Sequence, residues 1–156
     1  MEIHNIKPII QKDSEILILG SFPSVKSRKE RFYYANPRNR FYQVLSYIYK
    51  VDLLNATCKE KEKFFIDNRI AIFDVVKSCT IRGSDDNSIE DVIVNDIPKL
   101  IYGTSIRKIY VNGTTAGKIL KAKFPSIEFT VLPSTSPANA QYSLDKLIKS
   151  WKIIKY

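Results

Sequence analysis

Four short runs of β-branched, aliphatic or aromatic residues limit the architectures open to this chain. They read EILILG (residues 15–20), IAIFDV (residues 70–75), RKIYVNG (residues 107–113) and EFTVLP (residues 128–133), and each closes on a turn former or a polar cluster. The segments between them carry helical spacing. Phe41, Val44, Leu45 and Ile48 form one apolar stripe, and Leu144, Leu147, Ile148 and Trp151 another. A third stripe is expected from Ile89, Val92, Ile93, Ile97 and Leu100, with Ser88 and Asp91 spaced as a capping box at its start. Strands alternating with helices predict an α/β domain with a parallel sheet covered on both faces. Ligands bind such sheets beyond the carboxyl ends of the strands. Those ends here read GSFPS, DVVKSC, NGTTAG and LPSTSPAN, all small or polar, as the rim of a pocket requires. No repeat, low-complexity tract or break in composition divides residues 1–156, so a single domain is expected.

The charge narrows the partners. Lys and Arg number 25 against 16 Asp and Glu, a net +9, which favours a phosphate-bearing partner over a neutral one. Six basic residues fall between Lys26 and Arg40 (Lys26, Arg28, Lys29, Arg31, Arg38, Arg40) against one acid, Glu30. Phe32, Tyr33 and Tyr34 lie among them. Cations interleaved with aromatic rings suit phosphate contact combined with base stacking. The lysines of the last helix (Lys146, Lys149, Lys152, Lys155) read as its solvated face.

Cys58 and Cys79 stand in no metal-binding or redox spacing and are expected to be reduced thiols. The single histidine, His4, is expected at the surface. No metal or cofactor site is expected. The first residues contain no apolar signal core, and no window is apolar enough to span a bilayer, so a cytoplasmic protein is expected, or a nuclear one in a cell with a nucleus.

Each strand end has its own chemistry. Gly20, Ser21, Phe22 and Pro23 allow a sharp turn that can aim backbone amides at a ligand. In LPSTSPAN two prolines stiffen a turn bearing the hydroxyls of Ser134, Thr135 and Ser136, which can hold a phosphate or sugar. NGTTAG lacks both the G-x-G-x-x-G spacing and the Walker lysine, which excludes a dinucleotide or P-loop site, and Thr114 reads as a helix N-cap.

Taken together, GSFPS, YYANPRNRF and LPSTSPAN resemble the uracil-DNA glycosylase superfamily, and most closely its hypoxanthine-DNA (deoxyinosine) glycosylase branch. ANPRNRFY (residues 35–42) is similar to the A-H-P-x-N-R-F-W segment of the mismatch-specific uracil glycosylases. The resemblance implies a three-layer α/β/α sandwich on a four-stranded parallel sheet. It also implies hydrolysis of a base–deoxyribose bond, without metal or cofactor, on a base drawn out of the duplex. Phe22 stands where the superfamily often has the Asp or Asn that positions the attacking water, and Ser134 stands in the region of the classical uracil enzymes' histidine. The resemblance therefore moves the catalytic role to Asn39, with Asn36, in place of the segment's usual histidine, second. It assigns Tyr34 to stacking on the base and Asp74 to reading the base edge, where the alternative for Asp74 is an ion pair with Lys77 or Arg82. Gly20, Ser21, Phe22, Pro23, Ser134 and Ser136 complete the expected substrate site. Arg28, Arg31, Arg38, Arg40, Ser136 and Asn139 are expected to grip DNA, and the protein is expected to act as a monomer. The expected substrate is DNA carrying a deaminated base, hypoxanthine first and uracil second. A catalytically silent nucleic-acid-binding module of the same fold is the alternative; a hydrolase of free nucleosides fits the basic loop poorly.

Overall fold

A computed structural model describes residues 1–155. Four strands form the central sheet: β2 (Ile16–Gly20), β3 (Ile70–Asp74), β6 (Lys108–Asn112) and β7 (Thr130–Leu132). Their order is β3-β2-β6-β7 and every pairing is parallel. All four lie inside the runs read from the sequence.

Side chains alternate across the sheet, so each face has its own core. Ile18, Ile70, Ile72, Tyr110 and Leu132 pack against helices α2 (Phe41–Tyr49), α3 (Cys58–Asp67) and α6 (Leu144–Trp151). Leu17, Leu19, Ala71, Ile109 and Val111 pack against α4 (Ile97–Ile101) and α5 (Thr114–Lys123) on the other face. The result is the three-layer α/β/α sandwich. Phe41, Val44, Leu45 and Ile48 of the first apolar stripe are all buried, and a side chain of this size contributes roughly 1.5–3 kcal/mol on leaving water.

Beside the sandwich lies a second, antiparallel sheet that the sequence pattern did not announce. It pairs β1 (Glu2–Ile3), β4 (Val76–Thr80) and β5 (Glu90–Val94) in the order β1-β4-β5. The helix expected from Ile89 to Leu100 is therefore mostly strand. Asp91 adopts a left-handed backbone (φ 53°), which a helix cannot run through, and the register of β4 and β5 shifts along this stretch. Ser88 belongs to a short 3-10 turn, Asp86–Ser88, and only Ile97–Ile101 is helical. At α5 the N-cap is Gly113, at φ 98°, rather than Thr114.

Both cysteines are free thiols, Cys58 exposed and Cys79 buried. Among the described residues no helix is long and apolar enough to cross a membrane, and no group of acids, histidines or cysteines is placed to hold a metal ion.

Candidate active site

An open cavity of about 740 Å3 lies at the carboxyl ends of the parallel strands. Its wall is built from all four strand ends, from the Tyr34–Asn39 stretch, and from the turn between β4 and β5. Gly20, Ser21, Phe22, Pro23, Tyr34, Asn36, Asn39, Asp74, Ser134, Ser136 and Asn139 all line it.

Asp74 ends β3 directly opposite Gly20 on β2. A Cβ at Gly20 would stand 2.5 Å from Asp74 Oδ1 and 3.1 Å from the Tyr34 hydroxyl, so glycine here keeps the floor of the cavity open. Asp74 pairs with neither Lys77 nor Arg82. Its partner is His4, whose Nε2 lies 2.8 Å from Asp74 Oδ2, with the two side chains only 4% and 6% exposed. The Ile6 N–H donates to His4 Nδ1 (3.3 Å), which leaves the ring proton on Nε2, aimed at the carboxylate. Phe73 meets the imidazole edge-on, 4.9 Å between centroids. His4 is thus a buried member of the site and not a surface residue.

Tyr34 has a left-handed backbone (φ 55°), rare for a bulky residue. Its ring stacks on Phe41 (3.8 Å, 16°), so only the opposite face is left to meet a base. Its hydroxyl accepts from Asn112 Nδ2 at 3.3 Å. Burial, reinforced by the nearby Asp74 carboxylate, pushes the phenol well above its ordinary range, and the ring stays protonated.

Thr135, fully buried, ties three segments together. Its N–H donates to Asn112 Oδ1 (3.0 Å), its Oγ accepts from Asn112 Nδ2 (3.0 Å), and its Oγ–H donates to Asn39 Oδ1 (2.8 Å). Asn39 Oδ1 also accepts the Phe41 N–H (2.9 Å), so both of its lone pairs are occupied. Nδ2 of Asn39 has no acceptor among the described residues and remains available to a ligand. Asn36 closes the same turn: its Oδ1 accepts from Arg38 N–H and its carbonyl from Asn39 N–H.

In the second turn Ser134 Oγ accepts from Ser136 N–H and Ser136 Oγ from Ala138 N–H, which leaves both hydroxyl protons to donate. Asn139 Nδ2 bonds the Ser134 carbonyl, and Trp151 Nε1 holds the Pro133 carbonyl at 2.9 Å. The four arginines divide. Arg40 bonds the carbonyls of Tyr142, Asn139 and Ser136, and so fastens the second turn to the first basic segment. Arg28 bonds the carbonyls of Pro23 and Gly83 and lies over the Phe22 ring. Both are internal struts rather than free cations, because carbonyls at strand ends and turns need donors. Arg31 and Arg38 are exposed.

The model of the Uracil DNA glycosylase superfamily matches residues 8–155. This chain belongs to that superfamily. Within it, the chain is 34% identical over 148 residues to a hypoxanthine DNA glycosylase of Methanosarcina acetivorans, covering 88% of this chain and 89% of that protein. A hypoxanthine DNA glycosylase of Methanosarcina barkeri is 30% identical over 155 residues, covering 97% and 96%. The solution NMR structure of a candidate uracil DNA glycosylase from Methanosarcina acetivorans superposes with a TM-score of 0.82 at 32% identity, covering 97% of this chain and 95% of that one.

One residue behind the cavity floor and one in its wall escape a motif reading of this glycosylase-superfamily site. His4 precedes the residues that the superfamily model matches, and nothing local marks it. Asp86 reaches the cavity from the β4–β5 connection, where its Oδ2 accepts the Ser21 hydroxyl at 2.8 Å. Its one sequence signal is the acid pair in GSDDNS, inside a stretch read as the approach to a helix.

Proposed function

We propose that this protein is a DNA glycosylase that draws a deaminated base out of the duplex and hydrolyses its bond to deoxyribose, hypoxanthine first and uracil second, leaving an abasic site. The observation that carries the reading is Asp74, a carboxylate locked by His4 at the floor of the cavity with Oδ1 left without a donor among the described residues. Hypoxanthine offers N1–H to such an acceptor and uracil offers N3–H, whereas adenine presents a lone pair that the carboxylate repels. The named activity of the two relatives supports placing hypoxanthine first. Tyr34 supplies the stacking face. Asn39 Nδ2, with Asn36 beside it, is the donor at the cavity wall, and Ser134, Ser136 and Asn139 face the sugar–phosphate backbone. The transition state pairs a sugar cation with a departing anionic base. Amide and hydroxyl donors fixed on the base, and DNA phosphates beside the cation, lower that barrier without reorganising.

The test is a labelled duplex with one deoxyinosine, or one deoxyuridine, incubated with the protein in chelator and then treated with alkali. Strand scission at the inosine, faster than at the uridine, is expected. Binding without scission would favour the silent binding module, and a strict need for a divalent ion would overturn the mechanism.

A further inference from the structure

Hydrolysis needs an acceptor for the proton of the attacking water, and most acceptors on the cavity wall are occupied. Asn39 Oδ1 holds two donors, Asn112 Oδ1 holds the Thr135 N–H, and Asp85 Oδ1 holds the Asn87 N–H. Among the carboxylates there, Asp74 Oδ1, Asp85 Oδ2 and Asp86 Oδ1 have no donor among the described residues, and of the three side chains Asp85 alone is exposed to solvent. Asp74 Oδ1 lies against Gly20, where the base is read. Asp86 remains.

Its placement suits the task. The 3-10 turn carries Asp86 over to the first strand end, and the Ser21 hydroxyl fixes Oδ2 there. The next residue, Phe22, has its ring packed against His4 and under Arg28 and contributes no polar side-chain atom. We propose that Asp86 is the catalytic base of this site, taking the proton of the attacking water on Oδ1 while Ser21 holds Oδ2. In the step, the C1′–N9 bond breaks and its electron pair leaves with the base. The water oxygen bonds to C1′ and the water proton passes to Asp86. The carboxylic acid then protonates the departed base or releases the proton to solvent, which restores the carboxylate.

The surroundings tune Asp86 in the useful direction. Burial pushes its carboxyl above the ordinary range, the Ser21 hydroxyl draws it partly back, and the Asp74 and Asp85 carboxylates add to the rise. The other titratable groups near it are the Tyr34 phenol, the Cys79 thiol and, at the root of the turn, the Arg28 guanidinium bonded to the Gly83 carbonyl. A base is most effective when its pKa moves toward the working pH.

The assignment rests on the glycosylase reading, and the experiment separates the two. Single-turnover cleavage of a deoxyinosine duplex is measured for wild type and Asp86→Asn, along with binding to a duplex carrying the cleavage-resistant 2′-fluoro analogue of deoxyinosine. The amide still accepts from Ser21, so analogue binding should hold while cleavage falls at least about 100-fold. The wild-type rate should decline as the pH drops through a pKa above the ordinary value of about 3.9, and the residual Asp86→Asn rate should be flat there. Near-normal cleavage by Asp86→Asn overturns the assignment, as does a cleavage loss matched by an equal loss of analogue binding. Melting curves report whether the variant folds; if it does not, Asp86→Glu keeps a carboxylate and should keep the acid decline, whose absence would equally overturn it. A wild type inert on deoxyinosine would sink the glycosylase reading itself, whereas an active wild type with an active Asp86→Asn sinks this assignment alone.

Discussion

Asn39 Oδ1 receives one hydrogen bond from the start of α2 and one from the completely buried Thr135, so the side chain has a structural duty beside the chemical one proposed for it. Asn39→Ala would leave both donors unpaired, and thermal or denaturant unfolding should show a loss of about 1–3 kcal/mol. Single-turnover cleavage should fall as well, because Nδ2 goes with it. Asn39→Asp separates the two duties: it keeps the acceptor, and should unfold close to wild type while cleaving poorly. An Asn39→Asp variant of normal activity would show that Nδ2 does nothing for the substrate. The motif around Asn39 is legible in the sequence. Its tie to Thr135, 96 residues away, is not, because no local pattern encodes which distant hydroxyl will meet a given amide.

The basic segment between α1 (Val25–Glu30) and α2 does two things at once. Arg28 and Arg40 fasten strand-end turns, while Arg31 and Arg38 are exposed and are the two cations proposed to meet phosphate. An Arg31→Ala, Arg38→Ala protein should therefore fold normally and bind duplex DNA with a salt slope flattened by about two units. An unchanged slope would leave these two cations as solvated surface. Composition could count the arginines but could not divide them, because the division depends on which carbonyls the fold leaves without partners. The same limit explains β5. Ile89, Val92 and Ile93 satisfy a helical spacing and are also β-branched residues at home in a strand; pairing with β4 and the left-handed Asp91 decide between the two. Among the four parallel strands, β2, β3 and β6 were legible as continuous, largely buried apolar runs, whereas β7 has Thr130 and Val131 exposed and was legible from its β-branched residues ahead of a proline turn.

At the scale of the molecule, the first residues belong to the site. The β1 strand pairs with β4, the His4 N–H reaches the Lys77 carbonyl, the Tyr33 hydroxyl holds the Lys7 carbonyl, and His4 holds Asp74. His4→Ala should leave Asp74 loosely oriented and reduce excision of hypoxanthine, with kcat/KM and the hypoxanthine-to-uracil ratio as the readouts. His4→Gln, which can still donate to the carboxylate, should recover part of both. Equal activity for the alanine variant would reduce the pair to a clasp for the N-terminal strand. The ties between His4 and Asp74, and between Arg40 and Tyr142, are closed across 70 and 102 residues of chain. A nascent polypeptide released from the ribosome residue by residue therefore has no closed site until Tyr142 has emerged, however early its basic segment appears.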